Sequence, residues 1–172
     1  MLRVLAGFAG GALISFLAVR IRALSMSGAF AATMMGTLAT AAGWGFAIVL
    51  VGFFASAVTV SKFRSSLKDA RLAPIIAKGG ARDAFQVLAN GAVFAIASAW
   101  ATASENPVAS FAAIGALAGA SADTWATEIG SLSRTLPRLI LTARPVPAGT
   151  SGAVTILGLA AAAAGAAVIG LL

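Results

Sequence analysis

Two carboxylates and two hydroxyl groups fall within one short stretch of the chain, Asp123-Thr124-Trp125-Ala126-Thr127-Glu128. In a helix, residues four apart share a face, so Asp123 lies with Thr127 and Thr124 lies with Glu128. The two carboxylates would act on one ligand only where the helix bends or ends, or from opposite sides of that ligand. Because Mg²⁺ is typically held by one or two carboxylates and by substrate phosphates, the stretch predicts a magnesium–phosphate site or, alternatively, a polar helix end.

A second polar group lies at the start of an apolar segment. Asp83, Gln86 and Asn90 are spaced to share one helix face. Asn90 would lie about 10 Å deeper along the helix than Asp83. Polar side chains at membrane depth are costly, so these residues are candidates for ligand binding. The alternatives are that Asp83 caps the helix and that Gln86 and Asn90 form hydrogen bonds between helices.

Two glycine-bearing segments precede apolar segments and are candidates for binding anions. They are residues 78–83, Lys-Gly-Gly-Ala-Arg-Asp, and residues 147–152, Pro-Ala-Gly-Thr-Ser-Gly. Amide groups at a helix N-terminus attract anions, and Lys78, Arg82 and Arg144 would add positive charge. Gly, Thr and Ser are also ordinary residues at helix starts, so each segment alone is a weak signal.

The residue types that the chain lacks exclude several chemistries. There is no Cys and no His among the 172 residues. Disulfides, thiolate nucleophiles, imidazole bases and metal sites ligated by Cys or His are therefore excluded. Any metal must be bound by oxygen, which favours Mg²⁺, Mn²⁺ or Ca²⁺. The sequence also contains no Walker A, GxGxxG or GxSxG motif.

The elements that must position these residues are membrane helices. Hydrophobic residues make up 60% of the chain, charged residues only 10%, and the mean hydropathy is +0.99. A soluble domain has roughly 25% charged residues, and a membrane-spanning helix needs about 20 apolar ones. The composition predicts one all-α domain over residues 1–172, a polytopic integral membrane bundle of about six helices. The expected spans are about 2–19, 27–42, 45–60, 84–104, 107–126 and 153–172.

The basic residues indicate how this bundle is oriented. If Arg20 and Arg22 face the cytoplasm, alternation of the spans places every other Lys and Arg there except Arg3. Lys and Arg are enriched in cytoplasmic loops. We therefore expect both termini on the non-cytoplasmic side, and cytoplasmic loops at 61–83 and 127–152 that carry the site. This bias explains most of the net charge of +7 without binding to nucleic acid.

Small residues in the spans predict close helix packing. Gly7 and Gly11, and Gly115 and Gly119, have GxxxG spacing. Such spacing lets helix backbones approach closely in a membrane. The pattern is compatible with packing inside one bundle and with a homodimer.

The common location of the glycine-bearing segments, the basic residues and the acids predicts phosphoryl transfer. Both glycine-bearing segments, most basic residues and all the acids except Glu105 fall on the predicted cytoplasmic face, where nucleoside triphosphates are found. Phosphoryl transfer depends mainly on positioning, a metal ion and positive charge. A phosphate monoester acceptor has a second pKa of about 6 and is mostly ionised at pH 7. Such an acceptor needs no strong general base, which suits a chain without His.

Four segments in the same order resemble a known family of integral membrane proteins. They are residues 78–91, 122–130, 137–140 and 145–152, supported by Ser61-Lys62. The chain resembles the transmembrane protein 19-like family from about residue 55 to residue 160. That family includes plant phytyl-phosphate kinase and is distantly similar to the CTP-dependent dolichol and phytol kinases.

The resemblance implies a Mg²⁺-dependent kinase in the membrane, most simply a bacterial inner membrane, with its active site facing the cytosol. It would transfer the γ-phosphoryl group of a nucleoside triphosphate, with CTP as the expected donor, to an isoprenyl or phytyl monophosphate. Side-chain chemistry suggests Asp123, Glu128 and Asp83 as metal ligands, with Lys78 and Arg82 neutralising the transferring charge. The expected residues for binding the nucleotide and its phosphates are Gln86, Asn90, Thr127, Arg144, Gly149, Thr150, Ser151 and Gly152.

Three other functions remain open from the sequence. A cytidylyltransferase that forms a CDP-lipid would need the same metal and phosphate site and would release pyrophosphate instead of CDP. A transporter of an anionic solute would place polar residues near the membrane midplane, and no inverted repeat is visible. A non-catalytic assembly protein would bind no nucleotide. The chain length of the lipid, the choice of nucleotide and the oligomeric state are not specified by the sequence.

Overall fold

A computed structural model of the protein describes residues 1–63 and 80–172. These residues form six helices and two short strands. The helices are α1 (Leu2–Arg20), α2 (Met26–Ala42), α3 (Trp44–Lys62), α4 (Ala84–Ser104), α5 (Pro107–Gly130) and α6 (Ile156–Gly170). The strands β1 (Arg138–Leu139) and β2 (Ala153–Val154) pair antiparallel in the segment that connects α5 to α6.

Local signals explain where several helices begin. Asp83 caps α4 through a capping box, in which its side chain accepts from the Gln86 amide and the Gln86 side chain accepts from the Asp83 amide. Asn106 caps α5, and Pro107 occupies the first turn, where its missing N–H costs nothing. Ser25 caps α2 in the same way. These caps satisfy amides that would otherwise lack partners at a helix start.

The helices pack as a bundle around α2 and α5. Helix α2 packs against α1, α3 and α4, whereas α5 packs against α3, α4 and α6. The core between them contains Phe53 and Phe94, and the ring of Phe94 meets that of Phe46 edge to face at 6.2 Å. Ala113 and Leu117 of α5 are fully buried in it. Small and aromatic side chains therefore fill the centre of the bundle.

The outer surface of the bundle is apolar. Phe30, Ile96 and Phe111 are 71%, 71% and 73% exposed. Helices α1, α3 and α4 are each long and apolar enough to cross a membrane, and α6 is apolar but shorter. Large exposed hydrophobic side chains all around a helical bundle are typical of a protein whose surroundings are lipid. The all-α, membrane-embedded fold expected from the composition is confirmed.

The two GxxxG pairs have different surroundings. Gly7 lies against α2, and a Cβ there would be 2.8 Å from Cβ of Thr40. A Cβ at Gly11 would be 3.2 Å from the carbonyl oxygen of Thr33. Gly115 and Gly119 have open space where a Cβ would stand. The first pair therefore serves packing within the bundle, and the second faces outward.

Most of the connecting segments meet at one end of the bundle, which we call the loop end. There, Lys62 Nζ donates to the carbonyl of Ile21 at 3.0 Å, and Ser61 Oγ donates to Oε1 of Glu128 at 2.8 Å. At the opposite end, Thr102 of α4 donates to the carbonyl of Ala42 in α2 at 3.1 Å. The described residues of the predicted polar segments therefore lie at a single end of the helices.

The last helix begins later than the sequence suggests. The apolar run predicts a helix from residue 153, but Ala153 and Val154 form β2 and pair with β1, and α6 begins at Ile156. Residues 149–152 therefore do not form the N-terminus of this helix, which corrects their expected place there, and phosphate binding by them stays a prediction. Thr155 caps α6 instead, because its side chain accepts from the Gly158 amide at 3.0 Å.

Candidate functional site

Helix α5 separates two cavities of opposite character at the loop end. Asp123 and Thr127 line a cleft of about 750 Å³ between α5, the segment 131–155 and the start of α6. Thr124, the next residue after Asp123, lines a cavity of about 230 Å³ between α1, α2, α3 and α4. We call these the polar cleft and the apolar cavity. Neighbouring residues of α5 therefore face two different spaces.

The polar groups that line the polar cleft are mainly hydroxyls, set among small apolar residues such as Ala126 and Val154. Asp123 supplies its carboxylate and Arg134 its guanidinium. The hydroxyl residues that line it are Thr127, Ser131, Ser133, Thr135, Thr150 and Thr155. This combination of hydroxyls, one negative group and one positive group is suited to a polar ligand that carries phosphate and sugar groups.

The turn at residues 149–152 forms one wall of the polar cleft. Gly149 and Gly152 have φ of 87° and 75°, in the left-handed region that favours glycine. The Thr150 hydroxyl donates to the carbonyl of Pro147 at 2.8 Å, and the Ile140 amide donates to the carbonyl of Gly152 at 3.1 Å. These bonds hold the turn against the strand pair, so that Gly149 and Thr150 reach the cleft.

The predicted phosphate-binding residues are therefore only partly brought together. Asp123, Thr127, Gly149 and Thr150 share the polar cleft. Ser151, Gly152 and Arg144 are exposed and are not among the residues that line it. Lys78 lies outside the described residues.

A second polar cluster joins α3, α5 and the start of α4. Arg82 Nη2 donates to Ser61 Oγ at 2.7 Å, and Ser61 Oγ donates to Glu128 Oε1 at 2.8 Å. Burial lowers the pKa of the Arg82 guanidinium from its ordinary value, and the charge of Glu128 opposes this shift. Because arginine keeps its proton at physiological pH, Arg82 carries a positive charge at the loop end of the bundle.

The backbone around Arg82 is fixed by the loop between α1 and α2. The Arg82 amide donates to the carbonyl of Ala23, and the Ser25 amide donates to the carbonyl of Arg82, both at 3.0 Å. Gly28 lies so close to the Arg82 carbonyl that a side chain at this position would collide with it. The guanidinium is therefore positioned from both its main chain and its side chain.

Asp83 and Gln86 form the capping box of α4, and ligand binding by these two residues stays a prediction. Helix capping was the alternative to ligand binding for Asp83, and the structure shows this role. Asn90 lines the apolar cavity, and its side-chain amide has no hydrogen-bond partner among the described residues. Gln86 also lines the apolar cavity, so two residues of the polar face predicted on α4 border this space.

The carboxylates are distributed over these places instead of forming one cluster. Within residues 1–63 and 80–172, no three acidic side chains come together as a metal site. Asp123 borders the polar cleft, Glu128 contacts Ser61, and Asp83 caps α4. The three-carboxylate metal site stays a prediction, and the described geometry favours Asp123 as the carboxylate nearest to a ligand in the cleft.

The sequence of the chain matches a known protein family. The family of integral membrane proteins described as DUF92 matches residues 9–172. The chain belongs to the DUF92 family of integral membrane proteins. The family resemblance expected from the motifs at residues 78–91, 122–130 and 145–152 is thereby confirmed.

Two curated relatives of this DUF92 chain are similar over most of its length. Protein PGR of Arabidopsis thaliana is 32% identical over 173 aligned residues, which cover 92% of this chain and 60% of the relative. The uncharacterized membrane protein MJ0933 of Methanocaldococcus jannaschii is 35% identical over 151 residues, covering 87% of this chain and 61% of the relative. The DUF92 chain thus spans about 60% of the length of these relatives. No solved structure matches it.

Three residues of the DUF92 site were missed by sequence reasoning. The charge pattern predicts Arg134 only as a cytoplasmic residue, yet it lines the polar cleft. The apolar run predicts Thr155 inside the last span, although a hydroxyl residue before an apolar run also marks a possible helix start, and Thr155 caps α6. Ser61 links Arg82 to Glu128 across residues that are far apart in the chain, a relation that no local pattern shows.

Proposed function

We propose that this protein is a membrane kinase that converts an isoprenyl or phytyl monophosphate into the diphosphate. The γ-phosphoryl donor is a nucleoside triphosphate, with CTP expected from the family resemblance. The observation that carries the proposal is the position of a polar cleft and an apolar cavity on two sides of the same helix turn, at Asp123 and Thr124. A water-soluble donor and a lipid acceptor require two such spaces beside each other.

The polar cleft is the proposed nucleotide site. Its volume of about 750 Å³ falls within the range of roughly 300–1,000 Å³ that is usual for ligand pockets. Arg134 would pair with phosphate oxygens, and the glycine turn at Gly149 would let backbone amides approach them. The N-terminus of α6, capped by Thr155, adds the positive end of a helix dipole at the same cleft.

The donor groups of the cleft suit a magnesium ion that is held largely by the nucleotide. The Asp123 carboxylate and the Thr127 hydroxyl make no side-chain hydrogen bond with any described residue, so both are available as oxygen ligands. Mg²⁺ commonly takes one or two carboxylates and completes its shell with phosphates and water. When bound, the ion would neutralise charge on the β- and γ-phosphates.

The reaction needs little from the protein beyond position and charge. An oxygen of the acceptor phosphate forms a bond to the γ-phosphorus, the bond from that phosphorus to the β–γ bridging oxygen breaks, and the nucleoside diphosphate leaves. The acceptor oxygen is already deprotonated at neutral pH. Arg82 lies on the apolar side of α5, where it would attract the acceptor phosphate. The γ-phosphate would have to reach this phosphate around the last turn of α5, where Glu128 contacts Ser61.

The decisive experiment uses purified protein, Mg²⁺ and γ-labelled CTP or ATP, with geranylgeranyl or phytyl monophosphate as the acceptor. We expect label in a lipid diphosphate. The Asp123→Asn variant should lose about 100-fold or more of this turnover, because it removes a charged group that acts on the phosphates. Glu105→Gln, a carboxylate-to-amide change at the opposite end of the bundle, is the matched control and should be as active as the unaltered protein.

Two results would contradict the proposal. Release of pyrophosphate with formation of a CDP-lipid would assign cytidylyl transfer instead. Equal turnover by the Asp123→Asn variant and the unaltered protein would remove the polar cleft from the reaction. The melting temperature of each variant shows whether a loss of turnover reflects unfolding.

A further inference from the structure

The apolar cavity extends along much of the bundle. Helix α3 lines it from Trp44, near the opposite end, to Ala57, near the loop end. These residues are separated by about 20 Å along the helix. The facing walls are made of small residues, among them Gly10 and Gly36. The cavity is therefore a narrow, elongated and almost wholly apolar space.

One end of this space carries a positive charge with unused hydrogen-bond donors. Arg82 lines the cavity, and within residues 1–63 and 80–172 only the Nη2 of its guanidinium is engaged, with Ser61 Oγ at 2.7 Å and the carbonyl of Ala57 at 3.4 Å. Among the described residues, the Nε and Nη1 donors of Arg82 have no partner. A guanidinium has five donors, so most of its capacity remains for an anion.

We propose that the apolar cavity binds the hydrocarbon chain of a single-chain lipid monophosphate, with the phosphate on Arg82 and the chain end near Trp44. This inference rests on the proposed function, since it assigns the place of the acceptor lipid in that reaction. It adds that the length of the cavity limits the length of the chain. A charged group at one end of an otherwise apolar space matches an amphiphile with one anionic head.

The size of the cavity favours one chain over two. Its volume of about 230 Å³ lies below the roughly 300–1,000 Å³ of common ligand pockets. A diacyl lipid would need space for two chains beside one head group. The cavity is therefore suited to an isoprenoid or a similar single chain.

The helix arrangement also provides an entrance from the bilayer. Helices α1 and α3 both pack mainly against α2, and α3 meets the end of α1 at the loop end, where Phe54 and Val58 pack against the cluster of Ala18, Ala23 and Leu24. Leu24, which is 2% exposed, closes the space between them at the loop end. A chain dissolved in the membrane would enter sideways between α1 and α3, while its phosphate stays at the loop end.

The test measures binding without any nucleotide, so that it does not depend on turnover. The full chain in nanodiscs is titrated with labelled geranyl, farnesyl and geranylgeranyl monophosphates. Gly10→Leu places a side chain about halfway along the cavity, where the structure has open space for it. Gly115→Leu is the matched control, because it makes the same change at an outward-facing glycine with equally open surroundings.

We expect Gly10→Leu to weaken binding of geranylgeranyl monophosphate about tenfold or more, while geranyl monophosphate binds as before, since the added side chain fills the far half of the cavity. The control should bind all three lipids like the unaltered protein. Equal affinities of Gly10→Leu and the control for every chain length would overturn the inference. Displacement of the labelled lipid by phosphatidic acid at equal concentration would overturn its single-chain character.

A second variant tests the head-group end. Arg82→Gln should weaken binding of geranylgeranyl monophosphate about tenfold or more and leave binding of the uncharged alcohol geranylgeraniol unchanged. An equal loss for both lipids would contradict the assignment of the phosphate to Arg82. If chain-length-selective binding is observed and the kinase assay is negative, the lipid site stands and the proposed function fails. If turnover is observed and Gly10→Leu leaves the affinity for every lipid unchanged, the proposed function stands and the lipid site is wrong.

Discussion

At the scale of single residues, Asp123 and Thr124 show how one helix turn serves two environments. Asp123 faces the polar cleft, and Thr124 faces the apolar cavity, where its hydroxyl donates to the Ala120 carbonyl at 2.9 Å. That internal hydrogen bond satisfies the Thr124 hydroxyl next to an apolar space. The Asp123 carboxylate stays exposed and available to a ligand. Adjacent residues of a regular helix can therefore border a polar and an apolar space.

Arg134 gives a prediction at this scale. It lines the polar cleft as a positive group, so Arg134→Gln should raise the KM for the nucleotide about tenfold through loss of a charge-assisted hydrogen bond, with a smaller effect on kcat. Arg138→Gln is the control, since Arg138 is not among the lining residues and its Nη1 donates to the Ala143 carbonyl at 2.8 Å. Steady-state kinetics with the nucleotide as the varied substrate measures both. Matching KM values for the two variants would show that Arg134 does not contact the nucleotide.

At the scale of elements, the polar cleft depends on how closely α5 and α6 approach. Gly130 and Gly158 face each other, and a Cβ on Gly130 would be 3.1 Å from Cα of Gly158. A Cβ on Gly158 would be 3.2 Å from the Ala126 carbonyl. Only glycine lets the start of α6 lie this close to the last turns of α5. The wall that carries Thr155 is thereby held opposite the wall that carries Thr127.

Gly158→Val should therefore disturb the cleft as well as the fold. The added side chain has no space, and overpacking of this kind costs about 1–3 kcal/mol. We expect a lower melting temperature together with weaker nucleotide binding, measured on the same sample by thermal unfolding and by nucleotide titration. Gly170→Val, near the other end of α6 with open space around it, should change neither quantity. Unaltered nucleotide affinity in a destabilised Gly158→Val protein would mean that the nucleotide binds elsewhere.

Local sequence patterns predict where several helices begin. They fail where the boundary or the environment of a helix depends on residues that are distant in the chain. The start of α4 follows from Asp83 and Gln86, because both partners of the capping box lie within one turn. For α6 the local pattern is ambiguous, because Thr155 is a possible cap but Ala153 and Val154 continue the apolar run. Their pairing with Arg138 and Leu139, far away in the chain, decides where the helix begins. The spacing in α5 identified which residues share a face. Which cavity each face meets depends on the packing of α3, α4 and α6, and spacing does not contain that information.

At the scale of the whole molecule, the loop end concentrates both charge and connecting segments. Lys62, Arg82 and Glu128 lie there, together with the turn at residues 149–152 and the N-terminus of α6. The opposite end has the short connections at Gly43 and at residues 105–106. A kinase that uses cytosolic nucleotide requires the loop end to face the cytosol. The excess of Lys and Arg in the connecting segments of that end predicts this orientation.

The absence of cysteine from the chain makes this orientation directly measurable. A single Cys can be introduced at Leu141, which is 96% exposed at the loop end, or at Ser104, which is exposed at the last residue of α4 on the opposite end. In intact bacterial cells, a membrane-impermeant maleimide should label Ser104→Cys and should leave Leu141→Cys unlabelled until the cells are lysed. The protein without Cys controls for background labelling. The reverse pattern would place the polar cleft outside the cytosol, away from nucleoside triphosphates, and would rule out the proposed donor while leaving the lipid site between α1 and α3 intact.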